Sequence, residues 1–170
     1  MKIVHILRKV DPNEICSKIE KEDVVVYDEI FVDGYLDLSN LNIQQRKISI
    51  NNEDSQTLGV SENKRVIKSK IKITNSRIRC IICKDIIFID SIDFSGTEFK
   101  EPADFSGTVF CCPTSFTDSI FFQTWFRGKF CNEAIFAGAE FKTHADFHRI
   151  VSCKSLDFSN TRFGVVYLLN

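Results

Sequence analysis

Phenylalanine recurs through the second half of this chain at steps of mostly five or six residues. It accounts for 16 of the 170 residues, and the recurrence begins at Phe88 and continues to Phe163. A helix repeats its apolar positions about every 3.6 residues and a strand about every 2, so neither element alone explains the spacing. The pattern predicts a chain that bends at a regular interval and presents one large apolar side chain between bends.

The residues around each apolar centre repeat as well. A small residue such as Ala103 often stands two positions before the centre, and a turn former such as Gly107 often stands two positions after it. Four bends return the chain to its start, so the centres fall into four columns. Column A takes Leu38, Ile73, Phe94, Phe116, Phe136 and Phe158; column B takes Ile43, Ile78, Phe99, Phe121, Phe141 and Phe163; column C takes Ile48, Cys83, Phe105, Phe126 and Phe147; column D takes Ile67, Phe88, Phe110, Phe130 and Ser152. The columns predict an all-β solenoid in which coils stack about 4.8 Å apart and aromatic rings fill the axis.

These segments resemble the pentapeptide-repeat family, whose consensus is A-(D/N)-(L/F)-x-x. ADFSG at 103–107 and AEFKT at 139–143 match it closely, and the resemblance extends over 36–49 and 66–165. It implies a right-handed quadrilateral β-helix. The chain departs from the family in its frequent six-residue steps, in phenylalanine where leucine is usual, and in Ser152 at an aromatic position. The serine predicts an underfilled core near the carboxyl end.

The chain is expected to divide into an amino-terminal cap and the solenoid. The cap should occupy residues 1–30, with a short helix followed by a strand at VVVY, 24–27. The β-helix should occupy 31–170. The polar segment 50–65 interrupts the repeat between columns C and D and is expected to be a surface loop inserted into the solenoid.

A capping pattern predicts the helix within 11–23. Asp11 is expected at the N-cap and Pro12 at the first helical position, where its missing amide hydrogen costs nothing. Ile15 and Ile19 are four residues apart and should share the buried face.

Charge and cysteine content limit the classes of function. The chain has 22 basic and 23 acidic residues and a net charge of −1, which argues against a nucleic-acid partner because such surfaces need a strong field of one sign. The odd number of cysteines, 7, indicates free thiols in a reducing compartment, so a cytoplasmic location is expected. Neither a signal peptide nor a membrane-spanning segment is recognised, and no membrane association is expected.

One side of the predicted solenoid carries almost no charge. These outward neighbours of column D, which we name face D, are Ile87, Ile89, Val109, Cys111, Lys129, Cys131, Val151 and Cys153. All except Lys129 are candidate interaction residues, because a contiguous apolar surface usually marks a contact site. Either face D is covered, by the 50–65 segment, the amino-terminal helix or another subunit, or it is a modestly apolar wall in solvent.

Three cysteines of face D could carry chemistry. Cys111, Cys131 and Cys153 should stack on successive coils, and three thiols at that spacing could bind a soft metal. Their spacing is not that of a zinc site, however, and a simpler interpretation is that the cysteines act as small apolar side chains on a covered face. Cys80 and Cys83 form a single C-x-x-C pair, with Cys83 directed into the core. No metal or cofactor site is assigned.

The sequence contains no recognisable catalytic constellation. His144 and His148 flank Asp146, but a spacing of four brings side chains together on a helix and not on this coil. No serine or cysteine is placed beside them as a nucleophile. Asp104 and Asp157, like Asp146, precede column centres and belong to the repeat pattern. The chain is therefore expected not to be an enzyme and to have no small-molecule substrate.

The apolar tail follows the last repeat directly. An exposed sheet edge invites strand pairing. We therefore expect either a chain cut from a longer solenoid or a dimer formed through Val165, Val166, Tyr167, Leu168 and Leu169.

Three classes of function remain after these exclusions. The leading class is a non-enzymatic protein-interaction scaffold, because the sequence offers rigid faces without catalytic groups. The second comes from the family resemblance, since some relatives imitate duplex DNA and protect DNA gyrase; the balanced charge makes this class weaker. The third is a thiol or metal site on face D.

Overall fold

A computed structural model describes residues 6–47 and 63–167. Over these residues short, mostly parallel strands stack into an all-β solenoid of about six coils with one short helix near its amino-terminal end, which confirms the predicted fold class. The helix, α1, spans Pro12–Glu20, and the Asp11 carboxylate accepts a hydrogen bond from the Asn13 amide at 2.8 Å, as expected of an N-cap. Its apolar face, Ile15 and Ile19, is buried.

The strands form three sheets. The sheet of column A contains β2 (Val25–Asp28), β6 (Ile71–Thr74), β9 (Ile92–Asp93), β13 (Thr114–Ser115), β16 (Ala134–Ile135) and β19 (Leu156–Asp157). The sheet of column D contains β4 (Gln45–Lys47), β5 (Asn63–Ile67), β8 (Ile86–Phe88), β12 (Val109–Phe110), β15 (Lys129–Phe130) and β18 (Val151–Ser152). Columns B and C share one sheet, made of β1 (Arg8–Val10), β3 (Ile30–Asp37), β7 (Arg77–Ile82), β10 (Glu98–Phe99), β11 (Ala103–Asp104), β14 (Ile120–Trp125), β17 (Glu140–Asp146) and β20 (Arg162–Tyr167).

Strand register confirms the columns from the second coil onward. In column B, Phe99 aligns with Ile78 on one side and with Phe121 on the other. Within residues 6–47 and 63–167, all strand pairs are parallel except β4 with β5. The coil of His144 contains one extra residue, because Phe121 pairs with Phe141 while Gln123 pairs with His144.

Two of the assignments in the first coil were wrong, although Ile67 does lie in column D, where it aligns with Phe88. Leu38 and Ile43 were predicted to begin columns A and B, but Tyr27 aligns with Ile73 in column A and Val32 begins column B beside β7. The register of β3 on β7 places Leu38 in column C. Because consecutive centres are about five residues apart in every column, the spacing alone does not show to which column the first centre belongs. The interruption after the first coil prevents the columns from being counted back from the later coils. The strand predicted inside the cap, β2, is thus the column A strand of the first coil.

Most of the predicted loop 50–65 lies outside the described residues, as does Ile48, which had been predicted for column C. The end of that segment is regular structure. β5 begins at Asn63, and Lys64 is fully buried. The described chain is therefore already part of the solenoid before residue 65.

Phenylalanine rings fill the interior in two orientations. Along column B, the Phe121 ring lies 4.7 Å from Phe99 and 5.1 Å from Phe141, within 9° of parallel to both. Between columns the rings meet edge to face, as Phe105 and Phe116 do at 5.5 Å and 72°. Both are preferred arrangements of aromatic pairs, so each ring is satisfied by its neighbours above and beside it.

The small residues beside the rings also point inward. Ala103 and Ala139 are fully buried, and little space remains for a larger side chain. Where the small residue is polar, its hydroxyl is paired: Thr97 Oγ1 donates to the Ile73 carbonyl and Ser119 Oγ to the Phe94 carbonyl, each at 2.8 Å. A hydroxyl therefore fits this dry interior because the preceding coil supplies an acceptor.

Two of the four corners use the left-handed backbone conformation. Most centres of columns A and C are followed two positions later by a residue with positive φ, at Glu29, Asn75, Gly96, Asp118, Gly138, Asn160, Asp85, Gly107 and Arg149. Glycine, asparagine and aspartate adopt this conformation most easily, which explains the turn formers of the repeat.

The two ends of the solenoid differ. α1 packs against β2 and β3 at the amino-terminal end. In the last coil Ser152 is exposed, and Phe163 remains 43 % exposed although it stacks on the buried Phe141. Among the described residues β18, β19 and β20 each pair on one side only.

Candidate functional site

Face D is a stack of in-register side chains. Val109 aligns with Ile87 on one neighbouring coil and Lys129 on the other, and Lys129 aligns with Val151. Ile87 is buried, Val109 and Val151 are half-buried, and Ile89 is 48 % exposed. The candidate interaction residues therefore form a continuous strip across four coils, and most of their side chains are at least partly exposed to solvent.

Backbone hydrogen bonds hold the three cysteines of face D in a ladder. The amides of Cys111, Cys131 and Cys153 donate to the column D carbonyls one coil earlier, at 2.9, 2.8 and 2.9 Å. Cys111 and Cys153 are exposed, whereas Cys131 between them is half-buried. Burial, and then the neighbouring Cys111 and Cys153 thiols, raise the pKa of Cys131 to about 11. Cys131 is therefore mostly protonated near neutral pH.

Part of the covering hypothesis can be judged from the packing. The helix α1 contacts β2 and β3 and leaves Ile89, Cys111 and Cys153 exposed. The 50–65 segment lies mostly outside the described residues, so its relation to face D stays a prediction, as does contact with another subunit.

The described residues contain no group of three or more histidine, cysteine, aspartate or glutamate side chains arranged to hold a metal ion. Cys80 and Cys83 are both buried, and desolvation raises the pKa of Cys83 well above its ordinary value. Cys83 is a core residue, as predicted.

The aspartates of the repeat close the turns that follow them. Asp104, Asp146 and Asp157 each accept a hydrogen bond from the backbone amide two residues later, at 2.9, 2.8 and 2.8 Å. Asp146 is buried and also pairs with Arg127. This short-range pairing is typical of aspartate in turns. It gives these carboxylates a structural role and keeps Asp146 engaged beside His148.

The outer wall of column B contrasts with face D because it is built from ion pairs. Glu98 lies 3.2 Å from Arg77 and 2.9 Å from Lys100. Glu140 is held in the same way, 2.7 Å from Lys142 and 3.2 Å from Arg162. Hydrogen bonding to Lys142 lowers the pKa of Glu140. Alternating signs along the wall leave no extended field of one charge.

Sequence reasoning missed a buried lysine under the corner between columns C and D. Lys64 Nζ lies 3.2 Å from Asp85 Oδ1 and donates to the Gly107 carbonyl. Burial lowers the pKa of Lys64, and Asp85 partly counters that effect. A shallow groove of about 590 Å³ lies at this corner, lined in part by Asp85 and Arg149. Lys64 stood within a segment expected to be loop, and no local pattern marks it as buried.

The candidate dimer end is described only in part. Val165, Val166 and Tyr167 lie in β20 and pair with β17, while Leu168 and Leu169 lie outside the described residues.

None of the helices in the described part of the chain is long and apolar enough to cross a membrane. No protein-family model matches the sequence, and comparisons with curated proteins and with solved structures find no match either.

Proposed function

We propose that this chain is a non-enzymatic cytoplasmic protein of the pentapeptide-repeat type that serves as an interaction scaffold and binds a protein partner through face D. The observation that carries the proposal is the contrast between two walls of one solenoid. Face D presents Ile89, Val109 and Val151 with a single charged residue, Lys129, whereas the column B wall contains a series of ion pairs.

The core suits a scaffold because it holds the outward side chains in fixed register. Stacked rings fill columns A to D from Phe88 onward, and each coil is tied to the next by backbone hydrogen bonds. A partner can therefore meet a preformed strip and need not order it, which lowers the entropic cost of binding. Exposed apolar side chains such as Ile89 would supply the buried centre of such a contact.

The nucleic-acid mimic gains no support from the surface. A mimic of DNA needs an extended negative field, and the carboxylates of Asp33, Glu98 and Glu140 are each paired with basic side chains. Supercoiling assays with and without the chain would test this class separately.

Affinity capture from the native host tests the proposal when it compares three immobilised chains. The first chain is the wild type, and the second is the face D variant, which carries both Val109→Lys and Val151→Lys. The third is the control variant Ile135→Lys on the column A wall, where Ile135 is 37 % exposed. We expect a protein retained by the wild type and the control variant and lost from the face D variant. Equal retention by all three correctly folded chains would contradict the use of face D.

We also propose self-association through the carboxyl-terminal end. The half-exposed Phe163 supports it, and so does the pairing of β20 on one side only within the described part of the chain. Sedimentation should show a dimer that Phe163→Glu dissociates, while Phe122→Glu, at a site of similar exposure on the column B wall, leaves it intact. A wild-type chain that sediments as a monomer would overturn this second proposal.

A further inference from the structure

The cysteine ladder of face D places three thiols at the spacing of neighbouring coils. The amides of Cys111, Cys131 and Cys153 bond to successive column D carbonyls, and the residues just before them are paired in register. Adjacent strands lie about 4.8 Å apart, which falls within the Cα separation of about 4.4–6.8 Å that a disulfide spans. Each neighbouring pair in the ladder can therefore be bridged without moving the backbone far.

The other cysteines lack this arrangement. Cys80, Cys83 and Cys112 are buried, and Cys16 is half-buried near the amino-terminal end. Buried thiols react slowly with reagents in solution because access is poor. Of the seven cysteines, only Cys111 and Cys153 are exposed, and the half-buried Cys131 lies between them.

We propose that Cys131 is a redox-modification site that forms a disulfide with Cys111 or with Cys153 when the protein meets a low-molecular-weight disulfide such as oxidised glutathione. The inference rests on the ladder alone and needs no binding partner. Because both possible bridges share Cys131, one of the three thiols always stays free, and the bridge can move between the two neighbours by thiol exchange.

The reaction proceeds by two exchanges. The thiolate of the exposed Cys111 or Cys153 attacks one sulfur of oxidised glutathione, which forms a mixed disulfide and releases one glutathione. The Cys131 thiolate then attacks the protein sulfur of that mixed disulfide and releases the second glutathione. Two protein thiols thereby lose two electrons and two protons, and one oxidised glutathione becomes two reduced molecules. The second step should accelerate as pH rises, since Cys131 is mostly protonated near neutral pH.

Intact mass and peptide mapping of the full chain test the proposal. The folded chain is incubated with oxidised glutathione, and free thiols are then blocked. Trypsin cleaves after Arg127, Lys129 and Arg149 and so separates the three cysteines into different peptides, and a Cys112→Ser background removes the other thiol from the Cys111 peptide. We expect a product that, weighed before blocking, is lighter by two hydrogen atoms and in which the Cys131 peptide is joined to either partner peptide.

Single variants give the matched controls. Cys111→Ser should bridge only to Cys153, and Cys153→Ser only to Cys111. Cys131→Ser should stop at glutathione adducts of the two exposed cysteines. Glutathione adducts alone on the folded chain with Cys131 intact, no reaction, or a bridge that excludes Cys131 would each overturn the proposal.

Discussion

The rings of Phe105 and Phe126 stack with their centroids 4.8 Å apart and their planes 3° from parallel. Phe147 continues the column at 5.4 Å. Each of these rings also meets rings of column A edge to face, as Phe126 meets Phe136 at 5.1 Å. The packing of each coil therefore depends on the coils above and below it. Because the core is held in this way, the outward side chains of the walls keep fixed positions.

Removing a ring from the middle of this stack should be costly. Phe126→Ala should lower the free energy of unfolding by about 3–5 kcal/mol, because the cavity opens beside several aromatic neighbours. Phe122→Ala, on the outside of the same coil, should cost about 1 kcal/mol or less. Urea unfolding of the two variants measures the difference. Similar losses would mean that the interior ladder does not dominate stability.

The small inward position should not tolerate a larger residue. Ala103 is fully buried beside the rings, so Ala103→Leu should destabilise the fold by about 1–3 kcal/mol through overpacking. Ala137→Leu is the matched control, because Ala137 is half-buried beside the outer wall of column A. Thermal unfolding of both variants would show whether the alanine is required by the narrow interior.

The left-handed corners predict opposite effects of two glycine exchanges. Gly138 has φ 70°, and an added Cβ there would overlap the Asp118 carboxylate, so Gly138→Ala should cost about 1–3 kcal/mol. Arg149 has φ 57° without the advantage of glycine, so Arg149→Gly should cost nothing or stabilise the fold by about 1 kcal/mol. Two losses of similar size would contradict this account of the corners.

Alkaline pH should destabilise the protein through Cys83. Its folded-state pKa is raised well above the ordinary 9.0 by burial, so the thiol stays protonated in the fold and ionises after unfolding. Its contribution is complete below pH 9.0 and is lost progressively above it. Cys83→Ala should make the fall in unfolding free energy shallower by up to about 1.4 kcal/mol per pH unit. Ser152→Ala, an exposed change that removes no thiol, serves as control and should keep the wild-type slope.

Column order from the second coil onward could be predicted from sequence because the steps between centres stay regular and phenylalanine marks most centres from Phe88 onward. The first coil could not be placed, since Leu38 carries no mark of its column and only pairing along β3 and β7 decides it. Lys64 shows a second limit. Its burial depends on the Gly107 carbonyl and Asp85 from later coils, and such long-range pairing leaves no local pattern.

Face D illustrates the same division. The scarcity of charge was visible in the sequence, because a regular repeat assigns each residue to a wall. The degree of exposure was not: Ile87 is buried while Ile89, two residues on, is exposed. Accessibility depends on what packs against the wall, and the repeat pattern contains no information about that.

The affinity of the captured partner for purified chains tests the central claim most directly. Titration calorimetry would compare the wild type, the Val109→Lys and Val151→Lys double variant, and Ile135→Lys, after circular dichroism and matched Tm values confirm that all three fold. The account predicts a Kd at least about tenfold weaker for the face D variant and an unchanged Kd for Ile135→Lys. The same Kd for all three chains would contradict binding through face D.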